Sequence, residues 1–116
     1  MSFYFAACGP CVADVPALYG LQARMPELGL AAVTFDDEAT SRQFVQTRGL
    51  RWPVYPQARS FLQALGIRSY PAFALVNPEG RLVSIGPLHE LQRSGDPAEV
   101  LRRWVQTQIA RDSGKT

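Results

Sequence analysis

Histidine and cysteine are scarce in this chain: 116 residues hold one His, His89, and two Cys, Cys8 and Cys11. Two cysteines cannot build the disulfide framework that staples small secreted folds. Added to His89 they still fall short of the four soft ligands of a structural zinc site, so no metal and no other cofactor is expected. Charge of one sign is lacking too. Twelve basic residues against ten acidic ones leave a net charge of +2, and the arginines are scattered, with no stripe to track a phosphate backbone. Nucleic acid is therefore not an expected partner. No apolar run approaches the roughly 18 residues that span a bilayer. Met1-Ser2 leads straight into Phe3-Tyr4-Phe5, without a basic start or a long apolar leader. A leader or membrane anchor lying upstream would leave no mark on this stretch. No glycine-rich phosphate loop follows a strand, and one histidine far from any serine motif makes no Ser/His/Asp set.

What the chain does have is enough apolar material for a core, 47% of its residues. The length fits a single domain, here residues 1–110, with 111–116 as a polar, frayed tail. Phe3 to Ala6 is a short aromatic run that reads as a strand buried on both faces. Val12, Val15, Leu18, Leu21 and Met25 recur at spacings of three and four, which predicts one amphipathic helix from Pro10 to Met25, kinked by Pro16. Leu30 to Phe35 is a second buried strand. Asp36-Asp37-Glu38 supplies acid for the start of a helix over 39–48, closed by Gly49. Trp52 to Pro56 is an extended segment whose prolines suit a sheet edge, and Ser60 to Leu65 is a short helix. Phe73 to Val76 and Leu82 to Ile85 flank the Asn77-Pro78-Glu79-Gly80 turn as a hairpin. Residues 86–97 read as a loop holding a solvated His89. Asp96-Pro97 opens a last helix with Val100, Leu101, Trp104, Val105 and Ile109 on one face. Trp52, Trp104 and the phenylalanines read as core. A strand–helix–strand start implies parallel pairing, to which the hairpin adds antiparallel strands.

The chemistry is concentrated in Cys8-Gly9-Pro10-Cys11. A helix N-terminus has unpaired N–H groups and a partial positive charge that stabilise a thiolate at Cys8. The thiolate is the form that attacks disulfides. Cys11 lies one turn onward, within reach of a mixed disulfide formed at Cys8, and Gly9-Pro10 makes the tight turn between them. A purely structural disulfide closing so small a ring would stabilise little. Two inert buried thiols would not require Gly-Pro at a helix start.

These residues resemble the thioredoxin superfamily, and within it the TlpA/ResA/CcmG-like thiol-disulfide oxidoreductases of bacteria. The resemblance runs from about Phe3 to Leu88. It rests on CGPC at 8–11, Pro16 five residues after the second cysteine, Tyr70-Pro71 before a strand, the NPEG turn at 77–80, and the helix-plus-strand insertion around FVQTRGLRWPVY. It implies an α/β thioredoxin fold, with a mixed four- to five-stranded sheet flanked by helices on both faces. It implies Cys8 as nucleophile and Cys11 as resolving thiol. Pro71 would be a cis-proline facing the pair, leaving the backbone of Tyr70 to pair with an extended substrate. Asp14 stands where this branch often carries Glu, below the dithiol, where it could exchange protons with Cys11; its other reading is an acid favoured by the helix dipole alone. Three departures stand out. Ala7 replaces the usual Trp before the first cysteine, Tyr4 replaces another Trp, and Ser2 stands where thioredoxins proper bury an Asp. The strand and helix that usually precede the active-site strand are also absent from the pattern.

The resemblance implies a dithiol that reduces or exchanges protein disulfides, with a protein disulfide as substrate and an upstream thiol as reductant. It also implies a monomer, in the bacterial periplasm or cell envelope, with the cytoplasm as the alternative. The competing reading is a non-enzymatic thioredoxin-fold module that binds a partner or senses redox state. A peroxidase reading is weaker, because FYFAAC lacks a Pro/Thr loop around a peroxidatic cysteine.

Overall fold

Alternation decides which of two cores each strand side chain enters, and the structure, a computed structural model, shows that alternation in β1, β2 and β4. It describes residues 1–86, 91 and 93–114. Five strands form one sheet in the order β3-β2-β1-β4-β5. They are β1 (Ser2–Tyr4), β2 (Ala32–Thr34), β3 (Val54–Tyr55), β4 (Ala72–Val76) and β5 (Leu82–Gly86). β1 pairs parallel with β2, and β2 with β3. β4 runs antiparallel to both β1 and β5. Successive side chains point to opposite faces of a strand. Phe3, Val33, Ala72 and Ala74 accordingly fill one core, while Tyr4, Ala32, Phe73 and Leu75 fill the other. Each large side chain so buried contributes about 1.5–3 kcal/mol, and Phe3 is 0% exposed.

The helices are α1 (Gly9–Ala13), α2 (Val15–Arg24), α3 (Glu38–Arg48), α4 (Arg59–Ala64) and α5 (Pro97–Ser113). Leu62 of α4 packs into the core of Phe3 and Val33, and the other helices pack into the opposite core. Helices on both faces of a mixed sheet are the expected architecture, in its five-stranded form. The predicted edge strand at 53–55 is β3.

Several boundaries differ from the sequence reading, among them β2, which spans Ala32–Thr34 where Leu30 to Phe35 is expected. The single helix from Pro10 to Met25 is two helices, with the break at Asp14, so Pro16 lies in the first turn of α2. A proline there sacrifices no helical hydrogen bond, whereas inside an unbroken helix it would clash with the preceding turn. β1 ends at Tyr4, not Ala6, because the chain must turn into the cysteine loop. α5 continues through Arg111 to Ser113, where the Gly114 N–H reaches the Ala110 carbonyl at 3.2 Å. Ile109, predicted on the buried stripe, is 44% exposed and lines an apolar groove of about 800 Å³ together with Trp104 and Val76. His89 lies outside the described residues.

Asp37 caps α3, its carboxylate accepting from the Thr40 N–H at 2.7 Å, and Gly49 ends that helix with φ +64°, a conformation that favours glycine. The hairpin turn is held by Asn77, whose side-chain oxygen accepts from the N–H groups of Glu79 and Arg81 at 3.1 and 2.9 Å. α2 and α5 pack closely. A Cβ at Gly20 would lie 2.7 Å from that of Ala98. Alanine within a helix gains about 1 kcal/mol over glycine, but two methyl groups fixed to helix backbones cannot swing apart, and overpacking costs about 1–3 kcal/mol. Gly20→Ala is therefore expected to lower stability in urea unfolding despite its better helix propensity. A stabilised variant would contradict this packing.

Candidate active site

The loop leaving β1 carries the two cysteines to the start of α1. Cys8 is the N-cap residue, with extended backbone (φ −82°, ψ 105°), and Pro10 lies in the first turn. The Cys11 N–H points at the Cys8 sulfur, 3.2 Å away, so the sulfur occupies the place of an ordinary N-cap oxygen. The two cysteines form a disulfide, with their Cα atoms 5.2 Å apart. The structure is thus the oxidised state. Each is only 5% exposed, while Ala7, Gly9 and Pro10 beside them are exposed. When the disulfide opens, the N–H and the helix terminus that face the Cys8 sulfur favour its thiolate.

Asp14 closes α1 three residues after Cys11, and its N–H reaches the Cys11 carbonyl at 3.2 Å. Positions three apart share a helix face. The carboxyl is buried, 5% exposed, and its Oδ2 has no hydrogen-bond partner. Loss of hydration raises its pKa to about 6. A buried polar atom without a partner calls for an explanation.

Tyr70-Pro71 sits beside this loop. The Tyr70–Pro71 peptide bond is cis, as the resemblance implies. The register Phe3↔Ala72 between β1 and β4 brings Pro71 to the end of β1 from which the cysteine loop departs. The Tyr70 ring meets the Phe5 ring edge-on, with centroids 5.5 Å apart, and the Phe5 carbonyl accepts from the Cys8 N–H at 3.0 Å. Tyr70 is half-buried, and its phenol pKa is raised by burial and drawn the other way by Arg59. The structure therefore brings Cys8, Gly9, Pro10, Cys11, Asp14, Tyr70 and Pro71 to one end of the sheet. Pro16 stands apart as part of the α2 start.

Sequence reasoning missed Asp36, reading it only as acid near a helix start. Its Oδ2 accepts from the Ala6 N–H at 2.7 Å, tying the end of β2 to the cysteine loop. Its own N–H reaches the Thr34 hydroxyl oxygen at 3.2 Å, and its carbonyl accepts from the Gln57 N–H at 2.8 Å. Phe35 was missed as well: its ring stacks on Phe5 at 5.4 Å. Neither residue has a spacing signal, since both act across the sheet. Among the described residues, no group of three or more His, Cys, Asp or Glu could hold a metal.

A five-stranded mixed sheet of this order, with a disulfide at the start of its first helix and a cis-proline before β4, is a thioredoxin fold. Solved structures bear this out. The thioredoxin domain of a thiol-disulfide oxidoreductase from Bacteroides vulgatus superposes with a TM-score of 0.70 at 21% identity, covering 90% of this chain and 76% of that one. A secreted disulfide oxidoreductase of Mycobacterium tuberculosis, homologous to E. coli DsbE, gives 0.68 at 18% identity, over 91% and 78%. In sequence, the chain is similar to the thiol-disulfide oxidoreductase ResA of Halalkalibacterium halodurans, 28% identical over 89 aligned positions, with 73% of this chain covered. The chain spans about half, 51%, of that relative's length. No protein-family model matches it.

Two outcomes follow from the site. An Asp14 with a raised folded-state pKa favours folding fully only below the unfolded carboxylate range. That stabilisation is lost as pH rises through about 6. In the oxidised protein Asp14→Asn should therefore be the more stable form at pH 8, by on the order of 3 kcal/mol, with the gap closing toward pH 4. Urea unfolding at the two pH values checks it, and equal gaps would contradict a buried titrating carboxyl. Asp36→Ala should lose about 1–3 kcal/mol of stability with its charge-assisted bond, whereas Asp36→Asn, which keeps an acceptor oxygen, should lose less. Equal losses would show that the Ala6 contact does not hold the loop.

Proposed function

We propose that this chain is a thiol-disulfide oxidoreductase that reduces or exchanges protein disulfides. The observation that carries the reading is the Cys8 sulfur at the N-cap of α1, receiving the Cys11 N–H. In the reduced protein the Cys8 thiolate attacks one sulfur of a substrate disulfide. A Cys8–substrate S–S bond forms, and the other substrate sulfur leaves with the electron pair and takes up a proton. Cys11 then gives up its proton and attacks the Cys8 sulfur. The Cys8–Cys11 bond closes and the second substrate thiol departs. The dithiol has given two electrons to the substrate, whose two thiols carry one proton from Cys11 and one from solvent, and an upstream thiol reductant must restore the dithiol.

Asp14 is the group proposed to exchange the Cys11 proton. A buried carboxyl with a pKa near 6 can both take and return a proton close to neutral pH. The backbone of Tyr70, next to cis-Pro71, is proposed to pair with the extended substrate segment by strand addition, while Gly9 and Pro10 shape the turn. The reaction as written needs no bound metal or organic cofactor. We place the protein outside the cytoplasm, in the cell envelope. The secreted Mycobacterium tuberculosis neighbour supports this. A single domain, extended from the expected end at 110 to take in the whole of α5 to Ser113 and acting as a monomer, completes the proposal.

Serine variants test the roles directly. Incubated with a reducible protein disulfide, reduced Cys11→Ser should accumulate a mixed disulfide with the substrate, seen as a mass adduct that dithiothreitol removes. Cys8→Ser should accumulate none. The opposite pattern would exchange the two roles, and adducts on neither would end the catalytic reading.

A further inference from the structure

An open cleft of about 420 Å³ borders the proposed site, lined by Phe35, Arg59, Gln63, Ile67, Arg68 and Tyr70 among others. Its apolar floor is continuous with the cysteine loop, because the Phe5 ring contacts both Phe35 and Tyr70. Its rim is cationic. Arg59 lies over the Phe35 ring at 5.2 Å, held by an aromatic face and not by a carboxylate. Neither Arg59 nor Arg68 has an acidic partner among the described residues, although Arg24, Arg42, Arg102 and Arg103 all do. Among the described residues, no acidic side chain lines the cleft. Asp36, next to Phe35 in the chain, has its Oδ2 engaged by the Ala6 N–H. Both arginines are exposed, so an incoming anion meets them without first breaking an ion pair.

We propose that this cleft selects the substrate: it takes the residues flanking the substrate's reacting cysteine and prefers acidic side chains there. The inference rests on the oxidoreductase reading, since the cleft matters only while a substrate sulfur is held at Cys8. An extended segment paired with the Tyr70 backbone would send alternate side chains toward the cleft. There Arg59, already oriented by Phe35, offers a planar fork suited to a carboxylate. The apolar floor excludes water from one side of that pair, which strengthens it. Because such charges act largely on encounter, the preference belongs in the rate of mixed-disulfide formation.

Short peptides whose cysteine is activated as a 2-pyridyl disulfide, flanked by glutamates, glutamines or lysines, provide the test. Release of pyridinethione by the reduced protein gives the rate. The glutamate peptide should react at least about 10-fold faster than the lysine peptide, with the glutamine peptide between them and the ratio falling in high salt. The paired reversal Arg59→Glu and Arg68→Glu should invert the ratio. Arg81→Glu with Arg111→Glu, which changes net charge equally on exposed residues outside the cleft, should keep it. The ratio is read within each protein, so a loss of folded fraction cancels. Equal rates for the three peptides, or a ratio lost equally in both double variants, would overturn selection by this cleft. Neutral dithiodipyridine, given to the unaltered protein, separates the two levels. Reaction there with no peptide preference removes only this inference. No reaction with it removes the oxidoreductase reading and the inference with it.

Discussion

One sulfur sits where a helix begins, and the rest of the site depends on that placement. A helix N-terminus has N–H groups that no carbonyl within the helix can reach. In α1 one of them, that of Cys11, faces the Cys8 sulfur at 3.2 Å. The same short turn brings the second cysteine one helical turn away, so a single local feature both favours the thiolate and sets the second sulfur within disulfide-bonding reach. Pro10 fits the first turn without sacrificing a hydrogen bond. Move Cys8 one residue into the helix and its sulfur would lose the capping position.

That local feature needs a rigid base. The base is a sheet buried on both faces, with Phe3 packed to one side and Tyr4 to the other. β1 is central, hydrogen-bonded to β2 and β4, so the loop after it inherits the position of the whole sheet. Two further ties fix it. Asp36 holds the Ala6 N–H from the β2 side, and Tyr70 packs against Phe5 from the β4 side. The loop is thus gripped from both neighbouring strands, while its tip at Ala7, Gly9 and Pro10 remains open to a partner. Beneath it, the buried Asp14 carboxyl adds a group whose charge burial disfavours.

The legible parts of the sequence were those whose physics is local. Cys8-Gly9-Pro10-Cys11 pointed to redox chemistry through its spacing, the Gly-Pro between the cysteines and its place between a strand and a helix start. The 77–80 turn, the Gly49 cap and the acid at the start of α3 all act within a few residues and were read in place. Tyr70-Pro71 was legible only through resemblance, because nothing in its immediate neighbours distinguishes it from an ordinary turn. The helix after the cysteines was read as one element, since an apolar spacing of three and four persists across a break that only Asp14 and Pro16 create. Asp36, Phe35 and Arg59 were not legible as site residues. Each is separated in sequence from the cysteine loop and reaches it, or the cleft beside it, through strand pairing and helix packing. Ile109 matched the α5 stripe, yet it is exposed in the groove it shares with Trp104 and Val76, which periodicity cannot show.

The account stands or falls on whether Cys8 and Cys11 exchange electrons as a pair. The most direct measurement equilibrates the protein in glutathione buffers of graded potential and counts free thiols by alkylation and mass. One reversible two-electron transition is expected, with both thiols appearing together, at about −200 to −280 mV, the range of reducing dithiols. A transition near −120 mV would make the chain an oxidant and reverse the proposed direction. No reversible transition would contradict the catalytic reading of the site altogether.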